Sequence, residues 1–327
     1  MGGMSGTSSQ LFDTASLYFR AFYGLPATLT DRDGRPVNAV RGLLDFLARF
    51  ITDYGPDQVA CCWDNDWRPA WRVALVPSYK GHRVASEISC PSSGAPRFIE
   101  EVPAELTAQV PLIREVLDAL GLPIVGADGF EADDIMATLA TRASGPVDVV
   151  TGDRDMFQLV DDERAVRVLY VARGVGKHER VTDAWLREKY GITGAQYVDF
   201  ATMRGDASDG LPGVKGIGEK TAASLLASYG DLEGIVAHLD AVGTGVQRAI
   251  STHVDYLAAA SQVVACERHV PLADVDLTLP RTPRDPARFA QLVDDLNLGG
   301  AADRILAALH RVDQRNVIHA PERTTLR

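Results

Sequence analysis

The chain is poor in cysteine and histidine, with 4 and 7 of them in 327 residues. Cys61, Cys62, Cys90 and Cys266 form no C-x-x-C pair, so neither a zinc site nor a disulfide framework is expected. No apolar run approaches the ~20 residues of a membrane span. The start, MGGMSGTSSQ, has neither the basic nor the apolar region of a signal peptide. These absences predict a cytoplasmic protein with no membrane partner. Basic charge is also short: 33 Lys and Arg face 44 Asp and Glu, a net of −11. Taken alone, that disfavours a nucleic-acid partner. What is present is ordinary for a globular chain, 46% apolar and 24% charged. The length predicts two domains.

The acids are not evenly spread. Three short apolar runs end in one: QLFD at Asp13, DQVACCWD at Asp64 and PVDVVTGD at Asp153. PIV (123–125) and VRVLYV (166–171) read as further strands. Helical patterns at 38–53, 103–120 and 131–142 alternate with them, which predicts a parallel α/β sheet. Ligands bind such sheets off the carboxyl ends of the strands. After about residue 190 helical patterns dominate, at 194–205, 218–229, 231–241 and 245–265. Residues 263–272 are expected to return to the first domain. The polar segment from Val312 is expected to fray. Residues 84–104 are rich in Ser, Pro and Gly, and a mobile functional loop and a surface insertion both remain open.

Nine acids form the candidate site: Asp13, Asp64, Glu131, Asp133, Asp134, Asp153, Asp155, Asp206 and Asp209. Any one of them alone is more often a solvated charge or a helix cap. Gathered together, they could not all stay ionised without compensation. Divalent cations with a preference for oxygen, Mg²⁺ or Mn²⁺, supply it. Two such ions can clamp an in-line phosphoryl displacement. With nine of the 44 acids neutralised, 35 would face 33 bases, and local basic patches become possible.

GVKGIGEKT (213–221) invites a nucleotide-loop reading and fails it. Glu219 separates Gly218 from Lys220, so the Walker A spacing is broken, and the Rossmann fingerprint fails as well. A turn between two helices fits better. Gly213, Gly216 and Gly218 let backbone N–H groups approach a phosphate, while Lys215, Lys220 and Thr221 add charge and donors. Lys80 and Arg83 stand one helical turn apart and Arg20 follows Asp13, so all three could meet a transferring phosphate. Tyr79 could stack on a base. Phe19 and Phe22 read as core.

The motifs D-T-A-S-L-x-x-R-A-F-Y (13–23), W-D (63–64), Y-K-x-x-R (79–83), F-E-A-D-D (130–134), T-G-D-R-D (151–155) and G-D-x-S-D-G-L-P-G-V-x-G-I-G-x-K-T-A (205–222) occur in one order. Together they resemble the structure-specific 5′-nuclease family, the flap endonucleases and the 5′-exonuclease domain of bacterial family A DNA polymerases. The resemblance spans roughly residues 11–280, and the length leaves no room for a polymerase domain. It implies a PIN-like α/β core over 1–190 with an arch or loop at about 80–105. A helix-3-turn-helix DNA-binding unit over 191–265, a returning segment over 266–311 and a disordered tail over 312–327 would follow.

Residue by residue, the resemblance implies one metal among Asp13, Asp64, Glu131 and Asp133. A second would lie among Asp133, Asp153, Asp155 and Asp206, with Asp134 and Asp209 acting through water or at that second site. Lys80, Arg83 and Arg20 would act on the phosphate. A K⁺ ion held by carbonyls near Val214 and Ile217 would bridge to DNA. The implied reaction is cleavage of DNA at 5′ flaps, nicks, gaps or recessed 5′ ends, and of RNA primers, by a monomer. A PIN-like ribonuclease and a non-catalytic binder of branched DNA are the alternatives.

Overall fold

The computed structural model describes residues 6–89 and 96–318. The first residues of the N-terminal arm, Cys90 with the centre of the 84–104 stretch, and the end of the C-terminal tail lie outside them. The strands are β1 (Ser9–Asp13), β2 (Gln58–Cys62), β3 (Val84–Ser89), β4 (Pro96–Glu100), β5 (Ile124–Val125), β6 (Val147–Thr151), β7 (Val166–Tyr170) and β8 (Glu179–Val181). All but β3 and β4 form one sheet in the order β5-β2-β1-β6-β7-β8, parallel except where β8 joins β7. Its strands are apolar on both sides because both faces are covered. Leu11, Ala60, Val149 and Val168 enter one core, and their chain neighbours Phe12, Cys61, Val150 and Leu169 enter the other.

Helices supply the covers. They are α1 (Thr14–Gly24), α2 (Asn38–Tyr54), α3 (Ala70–Leu75), α4 (Ala104–Leu120), α5 (Ala132–Arg142), α6 (Asp183–Tyr190), α7 (Tyr197–Arg204), α8 (Glu219–Tyr229), α9 (Leu232–Ala237), α10 (Thr244–Ser251), α11 (Val254–Val264), α12 (Pro286–Asp295) and α13 (Gly300–Ile318). α2 buries Val40, Leu43, Leu44, Leu47 and Ile51 along one stripe and ends at Gly55 in the left-handed region, φ 59°. Residues of α2, α4, α12 and α13 fill one core, while α5, α7, α8 and α11 share the other.

Three expectations needed adjustment. The 245–265 pattern is two helices, broken at Thr252–His253, where no Gly or Pro marks the break. Residues 84–104 hold an antiparallel hairpin, β3 on β4, closed at its base by Glu101 N donating to Arg83 O at 2.8 Å. Helical backbone continues past Val312 to Ile318, where fraying was expected. The 263–272 stretch does return to the sheet region: Arg142 donates to Val270 O at 2.7 Å, and further on Val59 N donates to Leu277 O at 2.8 Å.

Candidate active site

Parallel register aligns the strand ends. Asp13 pairs with Cys62, and Phe12 pairs with Val150. Asp13 closes β1, Asp64 lies two residues past β2 and Asp153 two past β6. A cleft of about 910 Å³ opens at this edge. Asp13, Asp64, Glu131, Asp133, Asp153, Asp155, Asp206 and Asp209 line it, with Arg20, Lys80 and Arg83.

Two kinds of carboxylate share the cleft. The first kind is paired with cations. Arg72 and Lys80 both contact Glu131, and Tyr79 donates its hydroxyl to it at 2.8 Å. Arg154 donates to Asp206 at 2.7 Å, and Arg83 to Asp209 at 2.9 Å. Burial works to raise Glu131, but Lys80 and Arg72 hold it below the usual carboxylate range. Asp206 is likewise low, with Ser208 and Arg154 overcoming burial. At Asp209 burial wins over Lys80 and Arg83, and its carboxyl is raised.

Asp13, Asp64, Asp133, Asp153 and Asp155 have no cationic partner within salt-bridge reach among the described residues. Asp13 accepts only from Ser16 N at 3.0 Å and Thr151 Oγ1 at 2.6 Å. Burial, reinforced by Asp64, pushes it up to about 7. Burial and then Asp153 drive Asp133 and Asp155 well above the ordinary carboxylate value. Burial raises Asp64 too, against the Ala132 N–H that donates to it at 2.7 Å. Asp155 Oδ1 is buried with no hydrogen-bond partner among the described residues.

This donor set suits hard divalent cations, because it is all oxygen and its charge is uncompensated. Among the described residues no three such groups already form a closed chelate. An open ring of this kind fits an ion that keeps water and takes further ligands from a phosphate.

The basic residues expected beside the acids are there. Lys80 has the unusual φ of 47°, and its backbone N donates to Asp209 O at 2.9 Å. A Cβ at Gly210 would collide with Ser78 O, so the 78–80 turn packs directly on the D-A-S-D-G loop. Burial works to lower the Lys80 ammonium, yet Glu131 and the other acids hold it well above its ordinary value. Arg20 Nε is buried at the cleft wall without a partner among the described residues.

Other assignments do not hold. Tyr79 is 4% exposed with its hydroxyl on Glu131, so its ring is not available to stack on a base. Asp134 is absent from the cleft lining and fully buried. Its oxygens accept from Arg72 Nη2 at 2.7 Å, Arg72 Nη1 at 3.0 Å, Glu267 N at 2.8 Å and Glu131 N at 3.1 Å. It completes the capping box of α5. Gly213 is buried, with φ 66° and its N–H bonded to Tyr256, and a Cβ there would strike the Arg204–Gly205 backbone. It shapes the turn and does not present an N–H to a phosphate. Lys215, Gly216, Gly218 and Lys220 are exposed, Thr221 is half-buried, and Val214 and Ile217 are buried. Tyr23 is 70% exposed at the cleft mouth.

Sequence reasoning overlooked four residues. Thr151 orients Asp13, and Arg154 neutralises Asp206. Glu100 brings the base of the hairpin to the cleft. Arg72 binds the Glu131–Asp134 capping box. Thr151 and Arg154 stood inside a quoted motif, T-G-D-R-D, and that was their only signal.

Residues 8–191 match the 5′-3′ exonuclease N-terminal resolvase-like domain, and 192–286 match the 5′-3′ exonuclease C-terminal SAM fold. The chain belongs to the 5′-3′ exonuclease family. Within that family it is 55% identical over 303 residues to a 5′-3′ exonuclease of Streptomyces coelicolor, covering 91% of this chain and 99% of that one. It is 47% identical over 313 residues to a 5′-3′ exonuclease of Mycobacterium tuberculosis, covering 91% and 96%. Among solved folds it resembles T5 5′-exonuclease with bound zinc, with a TM-score of 0.57 and 17% identity over 93% of this chain and 99% of that one. The α/β sheet with a helical C-terminal unit expected from the sequence is the fold of this exonuclease family.

Proposed function

We propose that this chain is a divalent-metal-dependent 5′-nuclease of DNA, acting at 5′ flaps, nicks, gaps and recessed 5′ ends. The observation that carries the reading is the group of unpaired acids Asp13, Asp64, Asp133, Asp153 and Asp155 in one cleft. Carboxylates destabilised first by burial and then by one another favour a function in which cations neutralise them. Asp13, Asp64 and Asp133 would hold one ion, and Asp133, Asp153 and Asp155 a second, with Mg²⁺ or Mn²⁺ as the fitting elements. Glu131, Asp206 and Asp209 would act from their ion pairs through water. Bound there, the ions would activate water and neutralise the leaving oxygen.

The chain's own groups orient the substrate. Arg20, Lys80 and Arg83 would bind the scissile phosphate, and the products would be a 5′-phosphate and a 3′-hydroxyl. The helical unit from about residue 191 would grip duplex DNA through the exposed Lys215, Gly216, Gly218 and Lys220. A K⁺ ion at the Val214–Ile217 turn would add one backbone contact. Primer removal and repair, by a cytoplasmic monomer and on RNA primers as well as DNA, complete the reading.

The test is a 5′-labelled flap duplex incubated with Mg²⁺, Mn²⁺ or EDTA. Metal-dependent release of short 5′ products is expected. Binding without cleavage would leave a branched-DNA binder, and cleavage of single-stranded RNA alone would leave a ribonuclease.

A further inference from the structure

Five consecutive residues at the end of the helical unit have a backbone group bonded to a buried polar side chain. Arg72 Nε donates to Val263 O at 3.1 Å and Arg72 Nη2 to Ala265 O at 3.3 Å. Gln158 Nε2 donates to Val264 O at 3.0 Å, and Cys266 N donates to Gln158 Oε1 at 2.9 Å. Glu267 N donates to Asp134 Oδ1 at 2.8 Å. The three side chains come from α3, from the turn after Asp155 and from the first turn of α5, and all three are buried.

Each also touches the acid ring. Arg72 contacts Glu131, Asp134 accepts from Glu131 N, and Gln158 Nε2 donates to Asp155 O at 2.9 Å. With Val263 and Ala265, Asp134 and Glu131 account for all five guanidinium N–H bonds of Arg72. One strand of backbone is therefore the common fixture for both halves of the cleft. Glu131 is tied to it on one side and Asp155 on the other.

We propose that Arg72 and Gln158 are positioning residues that set the spacing between the Glu131 and Asp155 sides of the cleft by clasping residues 263–267. Neither is assigned to touch the substrate. The clasp also links the end of α11 in the helical unit to that spacing, so displacement of this segment is felt at both sides together. The reading rests on the nuclease assignment for its rate consequences and not for its mechanical ones.

Two variants test it. Arg72→Lys keeps the charge and loses the planar fork. Gln158→Met keeps the approximate volume and loses all three backbone bonds, and it is the variant to rely on if Arg72→Lys does not fold. Amide exchange is measured first, on metal-free protein. Gln158→Met is expected to speed exchange in 263–267 and in 153–155 together, and Arg72→Lys in 263–267 and 131–134 together. With flap duplex and saturating Mg²⁺, kcat is expected to fall about 10- to 100-fold, the usual effect of losing a group behind a metal ligand. The Kd for duplex in EDTA should stay within about twofold.

Faster exchange confined to 263–267, or a wild-type kcat in both variants, would overturn the proposal. If the wild-type protein cleaves no nucleic acid, the nuclease reading fails alone, and the exchange pattern still decides whether the clasp exists.

Discussion

Asp133 lines the cleft with no cation beside it, while Asp134, the next residue, is fully buried and grips Arg72. The same contrast runs across the whole site. Glu131, Asp206 and Asp209 each have a basic partner. Asp13, Asp64, Asp133, Asp153 and Asp155 face one another instead. The paired acids hold loops and helix starts in place. The unpaired ones are held away from their charged form by burial and by one another, and that penalty is what a divalent ion would relieve.

The largest expected effect separates the two sets. Asp155→Ala should remove cleavage below detection while leaving duplex binding nearly unchanged. Because a carboxylate penalised by burial and by Asp153 is gone, melting of the metal-free protein should stay the same or move upward. Retained cleavage, or a collapse in melting temperature, would return Asp155 to the paired class. Asp134→Ala should do the opposite. It leaves Arg72 buried beside one carboxylate fewer, and breaking a buried pair in this way costs about 3–5 kcal/mol. Denaturant unfolding of the metal-free protein reads that loss, and an unchanged midpoint would contradict the structural role.

Next comes pH. Asp13, Asp133 and Asp155 have folded-state values above their unfolded ones. The folded protein then holds more protons than the unfolded chain, so stability falls as pH rises. For Asp13 that fall runs from the ordinary 3.8 up to about 7. Glu131 and Asp206 are depressed, and their contribution is lost only as pH drops below the ordinary carboxylate range. Metal-free protein should therefore melt lower near pH 8 than near pH 5. Adding Mg²⁺ at the higher pH should recover the difference, since an ion that binds only the folded state stabilises it. A melting temperature that rises with pH in EDTA would break the comparison.

The strand-end aspartates were legible because a parallel sheet leaves few places for an acid after a buried run. Asp13, Asp64 and Asp153 converge for that reason alone. Asp134 was not legible. E-A-D-D places three carboxylates within one helical turn, and the partner that selects among them, Arg72, lies 62 positions away. Tyr79 failed in the same way. An aromatic beside Lys80 looks like a stacking surface until the Glu131 carboxylate is seen to take its hydroxyl. The clasp at 263–267 had no local signature, because its donors and acceptors are mostly backbone atoms.

The smallest expected effect concerns lysines and extends the contrast to cations. Lys80 is half-buried and paired with Glu131, so its removal disturbs the acid ring as well as any phosphate it meets. Lys220 is exposed in the first turn of α8 and touches no cleft residue in the described structure. Its charge is free for a phosphate backbone. Lys220→Ala should therefore weaken duplex binding with no change in single-turnover rate at saturating DNA. The slope of log K against log salt should shrink by about 0.9, the release of counterions from one phosphate contact. A slope equal to wild type would mean that Lys220 meets no phosphate, and the duplex grip would then have to come from the backbone N–H groups of Gly216 and Gly218.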